Sequence, residues 1–241
     1  MILFDEKQMK NKIKNIRDER TLKINIEEKP ERRSYHISND KELKKFIVKC
    51  ERECRSSGEY KRYTAFLKKY MDYSRCAVLK GLKTGNGKKY SIEIHHSPFT
   101  LFDLCHIIIK KRLQLNEPIS PHYVAEEVMI NHYDGKVGLI PLSVTMHELV
   151  HDDQVFIPLQ YVYQNYFDFW DEYEEFIPEI TKEKVNLMCT LSEKCEGDIL
   201  SNSISPEFTY LEVEGISLPK LTEEWANTIR AHDFERIEIV A

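Results

Sequence analysis

Two pairs of histidines restrict the fold of this chain more than any other feature of its sequence. His95 and His96 are adjacent at the end of the alternating segment YSIEIHH, and His147 and His151 lie four residues apart in VTMHELVHDDQ. Side chains four residues apart share one face of a helix, so the second pair can bind a single metal ion. Neighbouring strand side chains point to opposite faces. A twist or bulge would let one imidazole of the first pair bind metal while the other acts as a base.

The periodicity of the apolar residues predicts an α+β fold with helices and short strands in mixed order. Helical spacing runs through residues 40–54, 59–73, 99–113 and 120–133, and strands are expected at 22–26, 90–94 and 137–142. Ser120 and Ser143 are expected to cap helices. Asn86 and Gly87 are expected to form the turn of a hairpin that ends in the first histidine pair.

The C-terminal part is expected to mix helices and strands. An aromatic helix over 166–177 is predicted to have Phe167, Trp170 and Phe176 on its apolar face, after an extended segment at 155–162. Further elements are predicted at 181–195, 208–216, 222–232 and 236–240. The chain thus divides into a basic, mostly helical region (1–75), a core with both histidine pairs (76–160) and an acidic α/β region (161–241).

Charge is distributed unevenly along the chain, whose net charge is −5. Residues 1–100 hold 25 Lys and Arg against 14 Asp and Glu, and residues 101–241 hold 10 against 26. The basic half is expected to bind nucleic acid, because phosphate backbones attract Lys and Arg. The acidic half suits a protein partner, repels nucleic acid or keeps the protein in solution. Solvated helix faces explain any single cluster equally well.

Composition also bears on location. No segment approaches the roughly 20 apolar residues of a membrane span, and the N-terminus becomes charged too early for a signal peptide. The six cysteines include no C-x-x-C pair and fit a reducing compartment. Cys50 and Cys54 share a predicted helix face and are better explained as buried apolar residues than as metal ligands. We therefore expect a cytoplasmic protein without membrane contact, in the host cytoplasm if a phage encodes it.

HELVH also matches the H-E-x-x-H pattern of zinc proteases. Such an enzyme needs both histidines in the middle of a long helix, the glutamate as general base and a third ligand farther along the chain. Asp152 and Asp153 follow His151 at once, which predicts that the helix ends there. A protease is therefore the least favoured interpretation.

The order of these segments resembles the ββα-metal motif of HNH nucleases. A strand ending in EIHH, a second strand VGLIPL and a helix bearing HELVH are most similar to the HH and HxxxH version found in colicin-type DNases. The resemblance covers residues 88–151 and extends to HNH-type proteins encoded by phages. It implies a metal-dependent endonuclease that cleaves nucleic acid, with DNA as the expected substrate.

The resemblance also implies roles for individual residues. His95, His147 and His151 would bind a divalent ion, either Zn²⁺, Ni²⁺, Mg²⁺ or Mn²⁺, and His96 would be the general base. Glu93 and Lys89 fall where that subgroup has an acidic and a basic residue near its catalytic site. The remaining histidines are expected to be ordinary surface or core residues: His36, His106, His122, His132 and His232.

Two departures from the motif leave a second interpretation open. The motif's central asparagine would fall at Gly138, which has no side chain, although Asn131 is a candidate substitute. The 42 residues from His96 to Gly138 exceed the usual loop, so residues 99–134 are expected to be a helical insertion, which loop-closure entropy permits. The alternative is a non-catalytic HNH-fold protein with a binding or regulatory role and a structural metal site.

Overall fold

A computed structural model describes residues 37, 39–79, 82–84, 91–152, 154–201, 209–213 and 216–220. From residue 195 onward, only the backbone is described. The described residues combine helices with two short antiparallel strand pairs, so the expected α+β class is confirmed. No helix within these ranges has the length and apolar character that a membrane crossing requires.

The elements follow one another in mixed order along the described chain. The helices are α1 Asp40–Ser56, α2 Gly58–Tyr70, α3 Leu101–Gln114, α4 Pro121–Tyr133, α5 Val144–His151, α6 Tyr166–Tyr173 and α7 Glu179–Ser201. The strands are β1 Ile92–His96, β2 Leu139–Ser143, β3 Thr209–Val213 and β4 Ile216–Lys220. Short 3₁₀ helices cover Leu159–Tyr161 and Glu174–Phe176.

Side-chain caps explain where three of these helices begin. Asn39 Oδ1 accepts a hydrogen bond from the Glu42 N–H at 3.0 Å. Ser120 Oγ accepts from the Tyr123 N–H at 3.2 Å, and the proline after it starts α4 at a position where a missing N–H costs nothing. Ser143 Oγ accepts from the Met146 N–H at 3.4 Å and starts α5. Both serine caps predicted from the sequence are confirmed.

The chain divides into two compact units. The first combines described residues of 1–63, 101–138 and 164–177, and the second combines those of 64–100, 139–163 and 178–241. Helices α3 and α4 therefore belong to the first unit, whereas β1, β2 and α5 belong to the second. The three regions expected from the sequence stay a prediction, since much of the first and third lies outside the described residues.

A buried ion-pair network joins three helices of the first unit. Glu127 on α4 accepts hydrogen bonds from Lys111 Nζ at 2.7 Å, Arg112 Nε at 2.8 Å and the Tyr173 hydroxyl at 3.0 Å. Burial favours the protonated form of Glu127, but the hydrogen bond from Lys111 and the charge of Arg112 outweigh it and lower the pKa of this carboxyl. Asn131 donates to the Tyr173 hydroxyl at 3.0 Å and extends the network.

The second unit is built on the antiparallel pair of β1 and β2. Ile92 lies opposite Ser143, and His96 lies opposite Leu139. Met146 of α5 belongs to an apolar cluster that includes side chains of both strands. This packing holds the helix against the strands. The members of the cluster are Cys76, Val78, Ile92, Ile140, Leu142, Met146, Val155 and Ile157.

Several predicted elements lie outside the described residues, namely the strand at 22–26, the hairpin turn at 86–87, the helix at 222–232 and the strand at 236–240. Within the described residues, β1 pairs with β2 across the insertion. The segment at 155–162, predicted to be extended, instead contains the 3₁₀ helix Leu159–Tyr161.

The prediction of which residues form the buried face of the aromatic helix is wrong. Phe167 is 49% exposed, and α6 instead buries Tyr166, Phe169 and Tyr173. The helix ends at Tyr173, so Phe176 lies in the following 3₁₀ helix and leaves the helical period on which the prediction rested.

Candidate metal centre

The strand end and the short helix meet because β2 runs directly into α5. Ser143 is both the last residue of β2 and the N-cap of α5, so the helix begins beside the antiparallel partner strand. Alternation along β1 places Glu93 and His95 on one face and His96 on the other. The side chains of Glu93 and His95 both contact His147 of α5.

Three of the predicted histidines converge at this point. The ring centroid of His95 lies 5.1 Å from that of His147 and 5.2 Å from that of His151, and the two helix rings are 4.4 Å apart. One ring nitrogen from each histidine lies within 4.8 Å of the other two. Among the described residues, no other group of three His, Cys, Asp or Glu side chains converges in this way.

The donor set fits a transition-metal ion. The Nε2 atoms of His147 and His151 are 3.1 Å apart. Two ligands of a tetrahedral zinc ion, with bonds of about 2.1 Å, would be separated by about 3.4 Å. The helix pair is close to this spacing, and a ring nitrogen of His95 lies within 4.8 Å of the ligand nitrogens of both. Imidazole nitrogens suit zinc, copper and nickel, whereas magnesium and calcium prefer oxygen.

Glu93 fixes the orientation of His147. Its Oε2 lies 2.8 Å from Nδ1 of His147. Because a carboxylate accepts hydrogen bonds, neutral His147 carries its proton on Nδ1 and directs the Nε2 lone pair toward His151. Two imidazole nitrogens 3.1 Å apart need a proton or a cation between them. A metal ion in place of that proton would keep the same side-chain arrangement.

The centre is accessible to solvent. His151 is exposed and His95 is half-buried, while the side chains of His147 and Glu93 are 22% and 45% exposed. Three protein ligands on an open face leave coordination positions for water or substrate. Catalytic zinc sites have this arrangement, whereas structural sites are closed by a fourth protein ligand.

His96 is not a member of this three-histidine group. It is 5% exposed and occupies the face of β1 opposite His95. Its role as general base stays a prediction. Gly138 is buried just before β2. The amide of Asn131 donates to the Glu127 carbonyl at 2.9 Å and to the Tyr173 hydroxyl at 3.0 Å within the first unit, and its role as a substitute for the motif's asparagine stays a prediction.

Two residues that no sequence motif marks contact the elements that carry the centre. Lys68 Nζ donates to the carbonyl of Ile92 at 2.7 Å and so contacts the start of β1. Cys76 Sγ accepts from the backbone N–H of Ser143 at 3.3 Å, at the junction of β2 and α5. Both contacts join residues distant in the chain, and no local pattern signals them. Lys89, predicted to lie at the site, falls outside the described residues.

The zinc-protease interpretation gains no support. Helix α5 spans only Val144–His151, and Asp152 forms its C-cap. The prediction that this helix ends directly after its second histidine is confirmed. The third imidazole comes from β1, earlier in the chain, whereas the protease pattern requires a ligand farther along the chain.

The other described histidines lie outside the cluster. His132 is completely buried, and its Nδ1 lies 2.8 Å from the Val128 carbonyl. Burial lowers the pKa of His132 to about 4, so it is a neutral core residue, as expected. His122 is exposed and His106 is half-buried. Cys50 and Cys54 are buried free thiols on one face of α1, with Cys54 Sγ 3.9 Å from Met129 Sδ.

Comparisons with known proteins identify one family. A family described as "Bacteriophage G278-like virion protein" matches residues 3–213. No curated protein matches the chain. No solved structure matches it either. The family match confirms the phage origin suggested by the resemblance, but its description names no nuclease activity.

Proposed function

The chain belongs to the family of bacteriophage G278-like virion proteins, and we propose that it provides the virion with a divalent-metal centre held by His95, His147 and His151. The observation that carries this proposal is the convergence of three imidazoles from a strand and a helix, with ligand nitrogens within 4.8 Å of one another. The carboxylate of Glu93 on His147 supports it, because histidine ligands usually donate their second N–H to such a group.

The activity that we propose for this centre is hydrolysis of phosphodiester bonds in nucleic acid, as in HNH nucleases. The antiparallel strand pair followed directly by a helix has the order of the ββα-metal motif, and the exposed side of the centre leaves room for a phosphate. A bound ion would supply positive charge to a phosphate oxygen and to the leaving oxygen. Glu93 would hold the ligand His147 in its metal-binding tautomer. The resemblance gives His96 the role of accepting the proton of the attacking water, which would require its imidazole to reach the exposed side of the centre.

The substrate class follows from charge. Lys68, Lys69, Arg75 and Lys83 belong to the second unit, together with the centre, and Lys68 contacts β1 directly. Lys68 is thus a cation against the strand that carries His95, and a cation there favours a polyanion over a neutral substrate. We propose DNA as the substrate, with RNA as the comparison in the same assay.

A second candidate function is a non-catalytic virion component with a structural metal centre. Two observations favour it: Gly138 occupies the position of the motif's asparagine, and His96 is buried on the opposite face of β1 from the cluster. In this alternative the ion stabilises the short elements of the second unit, and no bond is cleaved.

Metal analysis combined with a plasmid-cleavage assay separates the two candidates. We expect the purified chain to bind one Zn²⁺ or Ni²⁺, His147→Ala to lose both metal and cleavage, and His96→Ala to keep the metal while cleavage falls by about 100-fold. His122→Ala, at an exposed histidine on α4, is the matched control and should retain both properties.

The outcomes are distinct. Metal bound through the three histidines without cleavage of DNA or RNA, in the presence of Mg²⁺, Mn²⁺, Ni²⁺ or Zn²⁺, would establish the structural alternative. Absence of metal binding would rule out both candidates. Cleavage that His147→Ala leaves unchanged would come from a contaminating nuclease or from another site.

A further inference from the structure

Helix α1 of the first unit carries an exposed basic stripe. Five residues that recur at helical spacing are all exposed, and four of them are cations: Lys41, Lys45, Val48, Arg52 and Arg55. Val48 is 39% exposed and lies in a shallow groove whose walls include Arg52, Arg55 and the carboxylate of Glu51. The stripe thus presents one apolar side chain with a cation one helical turn away in either direction.

Helix α6 of the same unit carries the opposite pattern. Phe167 is 49% exposed, Asp171 lies one turn farther along, and Glu174 and Glu175 follow in the 3₁₀ helix. All four side chains are exposed, and we call this set the acidic stripe. Its order of apolar residue, charge after four positions and charge after seven repeats that of Val48, Arg52 and Arg55 with the sign reversed.

We propose that the basic stripe of one copy of this chain binds the acidic stripe of a second copy. Phe167 of one copy would fill the groove at Val48 of the other and remove both apolar side chains from water. Cations flank Val48 on both sides, so Asp171 meets a positive charge whichever direction the two helices run relative to each other. A neutral partner would leave these charges unpaired, whereas a second copy supplies the complement.

The charges at the centre of both stripes are available for this contact. Among the described residues, Arg52 and Asp171 form no ion pair. Arg55 pairs with Glu51 at 2.9 Å, but the Arg55 side chain is half-exposed, and such surface pairs exchange partners at little cost. The association is therefore expected to weaken as salt screens the charges.

The two stripes are different surfaces, so the contact is heterologous. Each copy offers one basic and one acidic stripe. A linear assembly therefore ends in an unoccupied basic stripe on one side and an unoccupied acidic stripe on the other. Contacts of this type build closed rings or open filaments, in contrast to a two-fold dimer that uses the same surface twice. The proposal does not depend on the metal centre, which belongs to the second unit.

Sedimentation of the full chain over a range of concentrations tests the proposal. We expect concentration-dependent association at about 50 mM salt that weakens at about 300 mM. Arg52→Glu and Asp171→Lys should each raise the dissociation constant by at least about tenfold, because each places like charges opposite one another. The swapped variant Arg52→Glu/Asp171→Lys should regain association. Glu193→Lys, the same change of charge at an exposed site of α7, is the control and should associate like wild type.

A chain that stays monomeric at all concentrations, or one whose association the single reversals do not weaken, would overturn the proposal. The proposal would also be overturned if the swapped variant associates no more tightly than the two single variants. If Arg52→Glu weakens DNA binding while the wild-type protein is monomeric, the basic stripe is a nucleic-acid contact. Unchanged helical circular dichroism in each variant verifies that these exposed substitutions leave the fold intact.

Discussion

At the scale of single residues, Glu93 offers the most direct test of the metal centre. Its Oε2 lies 2.8 Å from Nδ1 of His147, one of the three proposed ligands. Glu93→Ala should weaken Zn²⁺ affinity by about 10- to 100-fold, because His147 loses the acceptor that fixes its tautomer. Glu93→Gln keeps an acceptor without its charge and should have an intermediate effect. Competition with a chromophoric chelator measures these affinities.

The matched control is Glu148→Ala, which removes the same charge from the exposed glutamate beside His147 in α5. This variant should bind Zn²⁺ like wild type. If Glu148→Ala reduces affinity as much as Glu93→Ala does, the effect is general electrostatics and Glu93 has no specific orienting role.

His132 shows the opposite use of an imidazole, as a neutral group in the core. Its pKa is about 4 when folded, because burial disfavours the charge, against about 6.5 when unfolded. Between these values the unfolded chain binds more protons, so stability falls as the pH falls through this window. We expect this histidine alone to remove about 2 kcal/mol of unfolding free energy between pH 7.5 and 5.0.

Urea unfolding at the two pH values measures this loss. His132→Gln removes the titrating group, so the difference in stability between the two pH values should shrink by about 2 kcal/mol relative to wild type. An equal pH dependence in variant and wild type would mean that other groups cause the acid sensitivity.

The sequence predicted those contacts of the candidate site that join residues close together in the chain. The spacing of His147 and His151 encodes a shared helix face, and alternation in β1 puts Glu93 with His95. The contact of Lys68 with the Ile92 carbonyl could not be predicted, because it joins two residues 24 positions apart in the chain. The burial of His96 depends in the same way on packing over the strand.

At the scale of elements, the two serine caps provide a matched pair of variants. Ser143 and Ser120 each accept one hydrogen bond from a helix N-terminus, at 3.4 Å and 3.2 Å. Replacing either by Ala should cost about 1 kcal/mol of unfolding free energy. Only Ser143→Ala should also weaken Zn²⁺ binding, because its helix carries His147 and His151. Denaturation and metal titration of both variants measure the two effects, and equal metal affinity would show that this cap does not position the ligands.

Helix starts that are marked by a capping residue were predictable from the sequence. The side of a helix that is buried was harder to predict. Ser120 with Pro121, and Ser143 before an apolar helix, are signals that act within a few residues. Helix α6 has aromatic residues on several faces, so periodicity alone did not separate Tyr166, Phe169 and Tyr173 from Phe167. The pairing of β1 with β2 spans a long insertion, and only the resemblance to the ββα motif indicated it.

At the scale of the whole molecule, the uneven charge along the sequence has a structural counterpart within one unit. The basic residues of α1 and the acidic residues of α6 both belong to the first unit, although they come from opposite halves of the chain. The basic half of the chain suggested a nucleic-acid partner, and the acidic half suggested a protein partner. Because a basic and an acidic stripe occur in the same unit, the same charges also allow one copy of the chain to bind a second copy. Sequence position alone could not indicate this, because it does not show which segments share a unit.

The division into two units leads to a prediction about where metal binding acts. All three proposed ligands belong to the second unit, so Zn²⁺ at 100 times its dissociation constant should stabilise that unit by about 2.7 kcal/mol. Hydrogen exchange should slow by up to about 100-fold in β1, β2 and α5, and change little in α1, α3 and α4. His151→Ala should abolish the slowing. Equal protection in both units would mean that they unfold together, and no protection in either, at a concentration where Zn²⁺ is bound, would place the ion outside the three-histidine cluster.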